Sequence, residues 1–94
     1  HIPIEAETRN LDDVREVLDC LAQGLRVERI MVDNFTPSQV QEAVQLVAGR
    51  TTTEASGGIT LDNIRLFAEA GVDIISVGAL THSAPALDIS MKFR

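Results

Sequence analysis

Glu7, Asp33, Ser56-Gly57-Gly58 and Gly78-Ala79 carry the chemistry of this chain, and each follows directly on a run of β-forming residues. Adjacent glycines let backbone N–H groups approach a ligand with no Cβ in the way, and the N–H groups that open a following helix add partial positive charge. Residues 51–60, reading Thr-Thr-Thr-Glu-Ala-Ser-Gly-Gly-Ile-Thr, are a strand, a glycine turn and a helix start capped by Thr60. That is the layout of an anion cradle, most naturally for phosphate. The plain alternative is a βα turn, where glycine is the default residue. Carboxylates on neighbouring strands, roughly 4.8 Å apart, would share one ligand or one Mg²⁺ ion, which needs only one or two carboxylates beside substrate oxygens and water. Without a ligand, Asp33 reads as a turn former or a charge at a helix N-terminus, and Glu7 as a solvated strand end.

Two further residues are secondary candidates. Glu54 lies inside the third strand, in period-two phase with Thr52 and Ser56, so it points into a wet site or at an uncovered edge. His82 would donate to a phosphate, although a lone histidine after a glycine turn is more often a local cap. Ser56 lacks the glycine two residues earlier that a nucleophile elbow needs, so hydrogen bonding to phosphate suits it better than attack.

The elements that must position these residues repeat four times as strand then helix. Ile2 to Ala6 reads as the first strand, and Leu11 to Gln23 as a helix with Leu11, Val14, Val17, Leu18 and Leu21 on one face, capped by Asn10 and closed by Gly24. Glu28 to Val32 is the second strand, its start uncertain after the long polar link from Cys20. Thr36-Pro37-Ser38-Gln39 is a capping box with proline at the first helical position, leading to Ala48 and Gly49. Thr51 to Ala55 precedes a helix that runs from the Thr60 cap to Ala70. Val72 to Val77 is the fourth strand, apolar as a strand covered on both faces should be. From Ala84 to Arg94 the pattern is ambiguous: Leu87, Ile89 and Met91 alternate like a strand, while Asp88 and Ser90 also suit a helical turn.

Strict alternation of this kind predicts an α/β fold of four consecutive βα units on a parallel sheet with right-handed crossovers. Strands adjacent in sequence order would place every helix on one side and leave the other face bare, as in part of an open, TIM-like α/β barrel. A doubly wound sheet with helices on both faces is the competing arrangement.

Composition narrows the partners. Ninety-four residues with 45% hydrophobic content allow one small domain or a piece of a larger one. A net charge of −6, with Lys92 the single lysine, excludes nucleic acid and anionic membrane as main partners. The single cysteine, Cys20, rules out an internal disulfide, fits a reducing compartment, and lies beside the apolar stripe of the first helix as a packed thiol would. No apolar run reaches membrane-spanning length. The strand-like opening His1-Ile2-Pro3-Ile4 suggests that residues precede it.

Val32-Asp33-Asn34-Phe35, Glu54-Ala55-Ser56-Gly57-Gly58-Ile59-Thr60, Gly71-Val72-Asp73, Val77-Gly78-Ala79-Leu80-Thr81-His82-Ser83 and Ala86-Leu87-Asp88-Ile89-Ser90 together resemble the quinolinate phosphoribosyltransferases, also called nicotinate-nucleotide diphosphorylases (carboxylating). The resemblance covers nearly the whole chain, in order, and implies that residues 1–94 are the C-terminal portion of the catalytic barrel domain, without the N-terminal sandwich domain and the first barrel strands. It implies an enzyme that joins quinolinate to phosphoribosyl pyrophosphate with Mg²⁺, giving nicotinate mononucleotide, pyrophosphate and CO₂ for NAD synthesis, in a homodimer or higher oligomer. The expected location is cytoplasmic, with an organelle left open because the N-terminus of such an enzyme is missing here. Carried over by motif, Glu7 and Asp33 are the catalytic acids that hold the ribose hydroxyls and the metal. Ser56, Gly57 and Gly58 become the first phosphate loop, and Val77, Gly78 and Ala79 the second. A phosphate site after the later strands is also what barrels commonly build. From a different class, a non-catalytic phosphate-binding or self-assembling half barrel would show the same glycine loops.

The cations that grip the quinolinate carboxylates in this family have no counterpart here and are expected upstream of His1. The isolated chain is therefore predicted to bind phosphoribosyl pyrophosphate with Mg²⁺ but to make no nicotinate mononucleotide. Calorimetric binding of quinolinate, or turnover by these residues alone, would contradict this.

Overall fold

A computed structural model describes residues 4–77 and the strand at 89–92. Four strands, β1 (Glu5–Thr8), β2 (Arg29–Asp33), β3 (Thr52–Ser56) and β4 (Ile74–Val77), alternate with α1 (Leu11–Ala22), α2 (Pro37–Val47) and α3 (Ile64–Glu69). They lie side by side in sequence order and pair in parallel. Because consecutive parallel crossovers keep one hand, all three helices fall on the same side of the sheet. The doubly wound alternative is thereby excluded.

Local sequence accounts for the helix ends. Asn10 caps α1 by accepting from the Asp13 N–H at 2.8 Å. Thr36 and Gln39 form a reciprocal box at the start of α2, with bonds of 3.2 and 2.9 Å, and Pro37 stands just inside it. Two successive left-handed residues end α2, Ala48 at φ 52° and the expected Gly49 at φ 77°.

Alternate strand residues meet the helices. Ile30, Val32, Ala55, Ile75 and Val77 pack with Val14, Leu18, Val40, Ala43, Val47 and Phe67 into one core. Two threonines share this apolar side, and each is satisfied: the Thr8 hydroxyl donates to the Met31 carbonyl at 2.8 Å, and the Thr53 hydroxyl and N–H reach the Asp73 carboxylate at 3.2 and 2.9 Å. Asp73 ties the entry of β4 to β3 in this way.

Several expectations are corrected. The first strand, Glu5–Thr8, runs two residues past the expected end at Ala6, because Glu5 to Thr8 are the residues that pair with Arg29 to Val32; Ile2 and Pro3, where it was expected to start, lie outside the described residues. The ambiguous C-terminal stretch contains a strand, β5 (Ile89–Lys92), and it runs antiparallel to β4. Only eleven residues, 78–88, join the two strands, and a parallel crossover usually needs a dozen or more. Cys20 is exposed rather than packed. The third helix begins at Ile64 and has six residues, with Asn63 as its N-cap rather than Thr60.

Asp73→Ala removes the acceptor shared by the Thr53 N–H and hydroxyl. It is expected to lower stability by about 1–3 kcal/mol, read as a shifted denaturation midpoint, while Asp73→Asn retains an acceptor and loses less.

Candidate functional site

Side chains alternate along a strand, so each residue between two core positions faces away from the helices. The face opposite the core carries Glu5 and Glu7 from β1, Arg29, Met31 and Asp33 from β2, Thr52, Glu54 and Ser56 from β3, and Ile74 and Ser76 from β4. Among the described residues no helix crosses it. Register arranges it in rows. Glu5, Arg29 and Thr52 lie level, then Glu7, Met31, Glu54 and Ile74, and then Asp33 with Ser56 at the rim.

This places the predicted acids and the first glycine loop on one side of the sheet. Asp33 and Ser56 are the last residues of their strands and register partners. Glu7 is different. It was expected to follow its strand, yet it is the third residue of β1 and sits one row below the rim, because β1 runs on to Thr8. Standard spacings put its Cα about 8 Å from that of Asp33, diagonally across adjacent strands. The two acids therefore stand one row apart on the same face of adjacent strands, not level as register partners would.

The loop is built by two left-handed glycines, Gly57 at φ 81° and Gly58 at φ 70°. Gly57 is pressed against the tip of β2: a Cβ there would lie 2.6 Å from Asp33 Oδ1 and 2.7 Å from Asn34 Oδ1. Asn34 is itself left-handed at φ 59°, and its N–H donates to the Ser56 carbonyl at 2.9 Å, carrying the contact between the two tips beyond their ladder. No turn or cap hydrogen bond engages the amides of Gly57 or Gly58 among the described residues. The helix contribution expected for the cradle is displaced. Thr60 to Asn63 form a turn before α3, in which the Thr60 N–H donates to Asn63 Oδ1 at 2.8 Å and Asn63 Nδ2 donates to the Gly58 carbonyl at 3.0 Å. Asn63 thus braces the loop from behind, and anion binding here would fall to the Ser56 hydroxyl and the loop amides.

Glu54 is 6% exposed on this inner face, and both its oxygens are engaged. Arg29 donates to Oε1 at 2.9 Å and the Ser76 hydroxyl to Oε2 at 2.9 Å, while the same guanidinium lies 3.4 Å from Glu5. Arg29 is the single cation on the four parallel strands. Val77 ends β4 and is buried with its side chain toward the helices. Gly78, Ala79 and His82 lie outside the described residues.

Sequence reasoning missed Arg29, Asn34, Asn63 and Ser76. A signal existed for two of them: Arg29 is in period-two phase with Asp33, and asparagine directly after a strand is a common left-handed residue. The pairing of Ser76 with Glu54 across strands had no sequence signal.

The model of the quinolinate phosphoribosyl transferase C-terminal domain matches residues 1–92. A mitochondrial quinolinate phosphoribosyltransferase (decarboxylating) of Nicotiana tabacum is 46% identical over 97% of this chain, which spans 29% of that protein. A protein of Methanocaldococcus jannaschii named as a probable nicotinate-nucleotide pyrophosphorylase (carboxylating) is 40% identical over 94% of the chain and 32% of its own length. Among solved structures, the nicotinate-nucleotide pyrophosphorylase of Ehrlichia chaffeensis superimposes with a TM-score of 0.73 at 32% identity, covering 94% of this chain and 31% of that one. The chain thus spans about a third of the length of these relatives.

Gly57→Ala is predicted to be the more damaging of the two glycine changes. It combines a left-handed φ, worth about 1–2 kcal/mol against any L side chain, with collision against Asp33 and the Asn34 backbone. Gly58→Ala meets only Asn34 Oδ1 at 3.7 Å and incurs the conformational term alone. Equal denaturation midpoints for the two variants would contradict this.

Proposed function

This chain belongs to the quinolinate phosphoribosyl transferase C-terminal domain family, and on that premise we propose that it is the C-terminal portion of the barrel of an enzyme transferring a phosphoribosyl group to quinolinate. The products are nicotinate mononucleotide, pyrophosphate and CO₂, in the synthesis of NAD. One observation carries the reading: Asp33, Ser56 and Gly57 meet at one rim, with Glu7 one row below on the same face.

The chemistry asks for this disposition. As pyrophosphate departs, positive charge builds on the ribose, and fixed carboxylates on the sugar side stabilise it more than they stabilise the neutral ground state. Glu7 and Asp33 take that role and accept hydrogen bonds from the ribose hydroxyls. Ser56 and the amides of Gly57 and Gly58 hold the 5′-phosphate, which contributes orientation and remote binding energy. The chain beyond Val77 supplies the second phosphate loop, with His82 close in sequence.

Mg²⁺ fits the residues present. Among the described residues no three metal-ligating side chains gather, so a metal here would share its sphere between one or two carboxylates, substrate oxygens and water, as Mg²⁺ commonly does. Glu7 and Asp33 are the residues to hold it, and when bound it neutralises the diphosphate oxygens. Residues that grip the quinolinate carboxylates belong to the rest of the enzyme, whose assembly we read as a homodimer or higher oligomer. No helix among the described residues is long and apolar enough to cross a membrane. An aqueous compartment, cytoplasm or organelle, suits the substrates, and the relatives include mitochondrial and chloroplastic forms.

Asp33→Asn and Glu7→Gln in the full-length enzyme test the assignment. Each is expected to lower kcat by roughly 10²–10³ with little change in KM for quinolinate, the signature of charge stabilisation lost in the transition state. Parental kcat in both would remove the reading.

A further inference from the structure

Asparagine at the start of a helix ordinarily turns its side chain onto the first free amides of that helix. Asn63 does not. It stands at the N-cap of α3 with no side-chain bond to the helix, and its carboxamide turns back along the chain instead. Oδ1 accepts from the Thr60 N–H at 2.8 Å, and Nδ2 donates to the Gly58 carbonyl at 3.0 Å. The Thr60 carbonyl closes the same turn by accepting from the N–H groups of Asn63 and Ile64 at 3.2 and 2.9 Å. Backbone bonds thus hold the turn itself, and the Nδ2 bond is the one that reaches the glycine loop.

What that bond fixes follows from the geometry of a trans peptide unit, in which the C=O and the N–H point in opposite directions. Holding the Gly58 carbonyl toward Asn63 turns the Ile59 N–H away from it. The Ile59 side chain is 5% exposed and packed in the core, so this residue is anchored on both sides of its Cα. An earlier unit of the loop is set in the same manner, since the Ser56 carbonyl accepts from the Asn34 N–H at 2.9 Å and so directs the Gly57 N–H the other way. Among the described residues no turn or cap hydrogen bond engages the N–H of Gly57 or of Ile59. Two loop carbonyls are occupied by protein donors, and the amides of the same peptide units face elsewhere. For an anion this polarity matters, because a carbonyl oxygen turned toward it repels where an N–H attracts.

We propose that Asn63 is a positioning residue for the first phosphate loop, holding the peptide unit between Gly58 and Ile59 so that the Ile59 N–H joins Ser56, Gly57 and Gly58 in binding the 5′-phosphate. The proposal rests on the phosphoribosyl reading of the rim. It adds one donor that the glycine motif did not assign, and a side chain that acts through the loop without touching substrate.

The test uses the full-length enzyme and two competitors of phosphoribosyl pyrophosphate: ribose 5-phosphate, which carries the 5′-phosphate without the diphosphate, and pyrophosphate, which is the diphosphate alone. Asn63→Ala is expected to raise KM for phosphoribosyl pyrophosphate and the inhibition constant of ribose 5-phosphate about tenfold, with that of pyrophosphate and KM for quinolinate within about twofold of the parent. Asn63→Asp keeps an acceptor for the Thr60 N–H and lacks the donor to the Gly58 carbonyl. Its denaturation midpoint should stay near that of the parent while its ribose 5-phosphate constant rises as far as in the Ala variant, and it carries the test if Asn63→Ala fails to fold. Equal rises in both inhibition constants would overturn the proposal, since a general loosening or a charge effect acts on both anions. So would a folded Asp variant with parental affinity for ribose 5-phosphate. If ribose 5-phosphate competes equally well in the parent and in both variants, the role of Asn63 falls and the phosphate reading of the loop stands. If it competes in none of them, that reading falls and takes the role of Asn63 with it.

Discussion

Burial of every second strand residue beneath three helices is the constraint on which the rest of this molecule depends. Ile30, Val32, Ala55, Ile75 and Val77 are each nearly inaccessible to water, and a slip of one residue in any strand would exchange them for Arg29, Glu54 or Ser76. Register is therefore fixed by the hydrophobic side of the sheet. The polar side inherits it. Glu7, Met31 and Glu54 stand level, and Asp33 and Ser56 share the rim, because their neighbours along the chain are committed to the core.

The inner face then has to manage its own charge. On the four parallel strands, Glu5, Glu7, Asp33 and Glu54 share it with one guanidinium, Arg29. The arrangement resolves into two zones. Low on the sheet, Arg29 lies between Glu5 and Glu54 and the charges are paired. At the rim, Asp33 takes part in no ion pair within the described residues and presses instead against Gly57. The face thus stays acidic throughout, its charge partly offset low on the sheet by Arg29 and not offset by any ion pair at Asp33 among the described residues. On the proposed reading, the amides of the glycine loop are what would make a phosphate acceptable at the same rim.

Tight backbone geometry links the two halves of that rim. Asn34 and the glycine pair occupy the left-handed region in succession across neighbouring strand tips, and the Asn34 N–H bonds to the Ser56 carbonyl. Gly57 has no room for a side chain because the carboxylate of Asp33 and the amide of Asn34 fill the space. Asn63 holds the loop from the opposite side through the Gly58 carbonyl. The site's precision comes from these contacts between loops and strand tips, more than from the short helix that follows.

The chain by itself determined the alternation of four strands with three helices, the caps at Asn10 and Thr36, and the positions of Asp33, Ser56, Gly57 and Gly58 at strand ends, because periodicity, capping and glycine turns are local properties of the chain. It also marked Glu54 as part of an unusual polar face on an inner parallel strand, in phase with Thr52 and Ser56. Only the tertiary structure decided that Glu7 lies within β1 and below the rim, since pairing with β2 sets where that strand ends. The antiparallel sense of β5, the late start of α3 and the engagement of both Glu54 oxygens by Arg29 and Ser76 were decided in the same way. Each depends on which residues of distant segments come into register, and register is enforced by a core that no single stretch of the chain contains.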